Sequence, residues 1–144
     1  EGACALLFCP DNLCTPQHGP AAMRAFRPMI SNVEALKADV PQLLLAQSTP
    51  DAPIDVWHSG LEGNAQGIVL TALSVAKGGM AASERDMQQN RLDEPLGIAG
   101  PVSSWIAMSL AIHACSRRGR AQLVVSASTG KSMVIFMLSE LSVV

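Results

Sequence analysis

Residues Val102 to Ser128 read V-S-S-W-I-A-M-S-L-A-I-H-A-C-S-R-R-G-R-A-Q-L-V-V-S-A-S, and how this stretch folds decides the architecture of the chain. Val102, Trp105, Ile106, Ser109, Leu110 and His113 recur at helical spacing, which predicts a helix over 102–117 that lays this stripe on its neighbours. Pro101 suits the first turn of such a helix, and Arg117 with Arg118 complements the dipole at its far end. On that stripe His113 is expected as a hydrogen-bonded core histidine. Gly119 breaks the helix, and A-Q-L-V-V-S-A-S follows as an almost unbroken apolar run. A strand of that kind wants both faces covered. The expectation is a central strand over 121–127 with the 102–117 helix packed on it.

Working outward, helix and strand signals alternate. A-C-A-L-L-F-C, Ala3 to Cys9, reads as a buried strand feeding a loop rich in Pro, Asp, Asn and Gly. A-A-M-R-A-F-R after Pro20 reads as a helix stopped by Pro28. S-N-V-E, Ser31 to Glu34, has the form of a capping box and opens a short helix through Ala38. Q-L-L-L-A-Q and P-I-D-V-W-H-S both read as strands. Asn64 to Lys77 is apolar at helical spacing through Ile68, Ala72 and Val75, and lies between Gly63 and the pair Gly78 and Gly79, which predicts a helix with a glycine stop. S-E-R-D-M-Q-Q-N-R reads as a short exposed helix and L-D-E-P-L-G-I-A-G-P as a loop. M-V-I-F-M-L near the end fits a strand or a buried helix, with its length and β-branched pair favouring strand. The rhythm is that of an α/β layered fold, a mostly parallel or mixed sheet with helices packed on it.

The 144 residues fit one domain. A chain that begins at Glu1, without an initiator Met or a signal-peptide pattern, is expected to be a processed part of a larger protein. Ten Lys and Arg against twelve Asp and Glu give a formal net charge of −2. The only basic cluster is Arg117, Arg118 and Arg120, and aromatic residues make up 3 % of the chain. Neither the broad basic face nor the stacking platform of a nucleic-acid binder is present in the sequence. No apolar run reaches the ~20 residues of a membrane-spanning helix. Cys4, Cys9 and Cys14 stand five apart, with His18 four further on and Cys115 remote. Zinc sites draw paired ligands from tight knuckles, and residues five apart on a strand face opposite sides, so no metal is expected. Cys9 and Cys14 are placed to bridge the loop in an oxidising compartment and are otherwise small buried hydrophobes. No cofactor is expected either.

Three catalytic signatures overlap in S-A-S-T-G-K-S, Ser126 to Ser132. Gly130, Lys131 and Ser132 match the end of a phosphate-binding loop, but Val125 stands where its first glycine belongs. Ser128 with Lys131 has the S-x-x-K spacing of penicillin-binding enzymes, without their downstream elements. Ser126 to Gly130 loosely fits a hydrolase elbow around Ser128, though no His or Asp follows it in the chain. A plain strand-ending turn needs only hydroxyls that bond nearby backbone and a glycine for unusual dihedrals. Thr129, Gly130, Lys131 and Ser132 also suit an anion-binding nest. Among the histidines His58 has the best position for chemistry, at the end of a predicted strand. Asp55, three residues earlier, faces away from it. The candidate catalytic residues are therefore Ser128, His58 and Lys131.

The segment Gly100 to Met133 resembles the helix and following strand of the thiolase and ketosynthase superfamily, with a small-residue turn opening a buried helix and an R-x-G-x-A element, here Arg117 to Ala121, leading into a central strand. In that superfamily a catalytic cysteine enters the helix, whereas V-S-S-W at Val102 to Trp105 has none. The resemblance implies a degenerate, non-catalytic relative of bacterial type, and it carries no catalytic residue over. The function expected is that of an accessory module that contacts a protein partner or the rest of its parent chain. A serine-dependent hydrolase or acyltransferase fragment using Ser128 is the alternative, and anion or nucleotide binding at Thr129 to Ser132 a third.

Overall fold

A computed structural model describes residues 23–45, 53–61, 63–76, 87–97, 102–127 and 132–140. The expected strand Ala3–Cys9, the cysteines Cys4, Cys9 and Cys14, His18, and Ser128 to Lys131 lie outside the described residues. The elements, in chain order, are β1 (Met23–Ala25), β2 (Met29–Asn32), α1 (Leu36–Leu45), β3 (Ile54–Ser59), α2 (Gly63–Ala76), β4 (Met87–Arg91), α3 (Asp93–Leu96), α4 (Ser103–Arg118), β5 (Ala121–Ala127) and β6 (Ser132–Glu140). They form a mixed six-stranded sheet in the order β1-β6-β5-β3-β4, with β2 also paired to β6. β5 runs parallel to β3 and antiparallel to β6, and β4 is parallel to β3. The apolar run at 121–127 thus occupies the middle of the sheet, six of its seven residues buried.

Helices cover both faces. Ile54, Val56, Leu123, Val125, Ile135 and Met137 pack with α1 and α2. Val124, Phe136 and Leu138 pack with Ala107, Met108 and Ala111 of α4. The period-2 alternation of strands sends successive residues to opposite cores, so one strand feeds both layers. Gly119 ends α4 in the left-handed conformation, φ 62°, its N–H bonded to the Cys115 carbonyl, which is the conformation only glycine adopts without strain. The M-V-I-F-M-L run is a strand, β6, because it supplies alternate side chains to the two cores.

Five local readings are corrected. Met23–Ala25, expected in a helix, is a short strand paired with Ser139 and its neighbours; Pro28 leaves a helix too short to survive, and the outer edge of β6 offers pairing instead. The helix after S-N-V-E is capped by Asn32, whose Oδ1 accepts from the N–H groups of Glu34 and Ala35 at 3.0 and 2.9 Å, while Ser31 lies buried in β2 and donates to Asp39. That helix runs on past Pro41 through Leu45, which overturns the strand expected at Q-L-L-L. Leu36, Val40, Leu43 and Leu44 form one buried helical stripe, and the short Leu run alone cannot display that period. Met87–Arg91 is a strand at the sheet edge rather than an exposed helix, because pairing with β3 overrides the weak helical preference of a polar segment. Within the expected 92–101 loop, Asp93–Leu96 forms one helical turn.

Two faces also differ. Val75 of α2 is 71 % exposed, with Ala65, Val69, Ala72 and Leu73 buried in its place. In α4 the buried residues are Ser103, Ala107, Met108, Ala111 and Cys115. The stripe Val102, Trp105, Leu110 and His113 points outward, and His113 is no core histidine.

Candidate functional site

The carboxyl ends of β3, β4 and β5 gather His58, Ser59, Ser103 and Ser126, four of the eight buried polar side chains among the described residues. Chain connections leave β3 for α2 on one face and β4 for α4 on the other, which makes the gap between these strand ends a topological switch point, the usual ligand position in such sheets. On the α4 side, Ser59 Oγ donates to Asp93 Oδ1 at 2.7 Å and the Gly60 N–H donates to Asp93 Oδ2 at 2.8 Å. Beside them Ser103 and Ser126, both buried, share a hydrogen bond of 3.1 Å. On the opposite face lies His58, 4 % exposed, with no hydrogen-bond partner for Nε2 among the described residues. Burial lowers its pKa from the ordinary 6.5, and the Arg91 guanidinium adds to the lowering, while Asp93 and Glu94 oppose it. Arg91 itself is held by Glu94 at 3.0 Å and by Gln66 at 2.9 Å.

The arrangement separates the groups that a hydrolytic triad must join. His58 and Ser59 are consecutive on β3 and so face opposite cores. The hydroxyls that are buried here bond an aspartate or each other, and His58 has none of them as partner. A nucleophile needs a base within hydrogen-bond reach.

Asp55 is fully buried, at the start of β3 and under the C-terminal end of α4, where it pairs with Arg120 at 2.9 Å and Arg118 at 3.4 Å. Gln122 completes the cluster, accepting from the Trp57 indole at 2.7 Å and donating to the Arg120 carbonyl at 2.8 Å. The basic cluster that ends α4 is therefore partly tied to a buried carboxylate. Sequence reasoning placed Asp55 away from His58 through strand alternation but had no signal for its arginine partners, which are over sixty residues distant in the chain.

Of the residues in the S-A-S-T-G-K-S turn, Ser126 and Ser132 are described and Ser128, Thr129, Gly130 and Lys131 are not. Ser126 is fully buried in β5, and Ser132 begins β6 opposite Asn32 of β2. The two strands flanking the turn are antiparallel, with Ala127 paired to Met133. Phosphate-binding loops and hydrolase elbows both lead a strand into a helix; here a strand leads into a strand. Among the described residues no cluster of His, Cys, Asp and Glu has the geometry of a metal site, and Cys115 is buried and in no disulfide. No described helix is long and apolar enough to cross a membrane.

No protein-family model matches the chain, and no curated protein matches it. Among solved structures it is similar to a chain of AntDE:AntF, a type II PKS acyl-carrier protein in complex with its ketosynthase bound to the hexaketide, at a TM-score of 0.60 and 13 % identity over 80 % of this chain. It spans 32 % of that chain. A looser likeness, TM-score 0.49 and 12 % identity, links 83 % of this chain to 47 % of AbyA1, a tetronic acid condensing enzyme. The first likeness establishes a shared fold.

Proposed function

We propose that this chain is a non-catalytic α/β module that works by protein contact, a thiolase-like or ketosynthase-like fold without that superfamily's chemistry. The observation that carries the reading is the outer face of α4. Val102, at the N-cap, and Trp105 and Leu110, on the outward half of the sixteen-residue helix, are 46, 54 and 37 % exposed. Single exposed apolar residues are ordinary, whereas three on one outward half, a tryptophan among them, have the composition of an interface core. The separation of His58 from the hydroxyls of Ser59, Ser103 and Ser126, and the place of Ser128 between two strands, support the absence of hydrolytic chemistry.

The occupant of that stripe is a further segment of the same parent polypeptide, a reading favoured by this chain's 32 % share of its neighbour's length. A photo-crosslinking amino acid in place of Trp105 in the parent polypeptide is expected to join one defined peptide elsewhere in that polypeptide, identified by mass spectrometry. The same group at exposed Thr71 on α2 should give no such product. Equal products from both positions, or none from Trp105, would overturn the contact. Fluorophosphonate labelling of Ser128 that disappears in Ser128→Ala would overturn the non-catalytic reading in favour of a serine hydrolase or acyltransferase.

A further inference from the structure

A cavity of about 850 Å³ opens on the α1 and α2 side of the sheet, the face opposite α4. It lies where β2 passes into α1 and β3 into α2, beside the end of β5 and the start of β6. Its volume is within the ~300–1,000 Å³ of small-molecule sites. The floor is fixed by a close backbone approach: Gly60, at φ 68°, sits so near Ala127 that a Cβ there would meet the Ala127 Cβ at 2.9 Å. The walls divide by chemistry. Leu61 and Ile68, half-buried against the core, give the inner wall an apolar surface. Asn64 and Ser132 stand at the rim with Lys37 and Glu34.

Among the described residues that line the cavity, Lys37 is the cation. It and Glu34 are three residues apart, the spacing of neighbours on a helix, yet no ion pair joins them and Lys37 has no other ionic partner among the described residues. Its ammonium is therefore available at the mouth of an apolar-walled cavity, with an amide and a hydroxyl nearby to complete the hydration of an anion.

From this we propose that the cavity binds a small amphiphile with one anionic head, a carboxylate or a phosphate, its head at Lys37 and its apolar part against Leu61 and Ile68. The site is on the other face from the contact stripe of α4, so the two proposals stand or fall separately. Glu34 opposes the head, and this gives the proposal a signature with two signs.

The test is titration of the chain with octanoate and octyl phosphate, followed by calorimetry and by NMR shifts, with octanol and inorganic phosphate as the tail and head alone. At least one of the two amphiphiles is expected to bind about tenfold more tightly than octanol, the worth of one charge-assisted hydrogen bond, and more tightly than inorganic phosphate. The tighter of the two identifies the head. Lys37→Gln, an exposed position whose change should leave folding intact, is expected to remove that tenfold advantage, and Glu34→Gln to increase it. Leu61→Trp, which fills the cavity, is expected to abolish binding of every ligand. Binding of octanol equal to that of both anions, or affinity for the anions unchanged in Lys37→Gln, would overturn the proposal.

Discussion

Toward the sheet, α4 presents Ser103, Ala107, Met108, Ala111 and Cys115; toward solvent it presents Trp105, Leu110 and His113, with Val102 at its N-cap. Met108 apart, the residues inside are small and those outside large. Small side chains let the helix lie close on Val124, Phe136 and Leu138 of the sheet, and dense packing then arises from strand residues meeting helix backbone. The difference teaches that apolar periodicity locates a helix without saying which of two faces is buried.

The sharpest way to break the inner side lies at its C-terminal end. Asp55 is fully buried, and Arg120 is its nearer cation. Arg120→Met keeps most of the side-chain stem but leaves Asp55 with Arg118 as its only described cation, at 3.4 Å, and the Gln122 amide as its other donor. Removing one partner of a buried pair costs about 3–5 kcal/mol, so a loss of about 3 kcal/mol in denaturant unfolding is expected. A loss under about 1 kcal/mol would mean that Arg118 can take over the carboxylate and that the end of α4 is not fixed by this pair.

Next in size is Ala107→Leu. Ala107 has no exposed surface and packs in the cluster of Val124 and Phe136, so added methylenes must push α4 off the sheet at about 1–3 kcal/mol. The same enlargement at His113, on the outer face, should leave the unfolding midpoint where it is. Equal effects at the two positions would erase the contrast between the faces.

His58 probes burial on the other side of the sheet. Its lowered pKa means that the unfolded chain takes up a proton more readily than the folded one. Stability is therefore full above 6.5, the ordinary value, and declines as pH falls through 6.5 toward the lowered folded value. Charged groups near it are Arg91 on β4 and Asp93 and Glu94 on α3, and α2 brings no ionisable side chain. Unfolding midpoints measured from pH 7.5 to pH 5 should fall in the native chain and fall less in His58→Asn. Parallel profiles for the two chains would show that another group controls the acid response.

How much of this was legible depended on where the signal resided. The central position of 121–127 was readable because a strand buried on both faces must be apolar at nearly every residue. The helix over 102–117 was readable from its period and its glycine stop. β4 was not, since M-Q-Q-N-R owes its strand form to β3 beside it and to nothing in its own side chains. Nor was the extent of α1, where Pro41 and a Leu run conceal a stripe that begins at Leu36. At the site, alternation correctly sent Asp55 and His58 to different faces. The Ser59–Asp93, Ser103–Ser126 and Asp55–Arg120 pairs span between twenty and seventy residues, and no local pattern announces contacts of that range.

The smallest expected effect is also the one that most sharpens the comparison. Trp105 and Leu110 carry the outer stripe at 54 and 37 % exposure. In the isolated chain, Trp105→Ser with Leu110→Ser should change stability by no more than about 0.5 kcal/mol, because side chains already half in water lose little when shortened. In the parent polypeptide the same pair should be costly, about 1.5–3 kcal/mol for each large apolar side chain that the contact fully buries. Tryptophan emission gives a second readout: Trp105 should emit as a hydrated indole in the isolated chain and shift to the blue in the parent, while Trp57, half-buried and bonded to Gln122, stays constant. An isolated chain destabilised as strongly as the parent would mean that the stripe packs within the chain itself. A parent as indifferent as the isolated chain would mean that nothing covers α4, and the module's contact surface would have to be sought elsewhere.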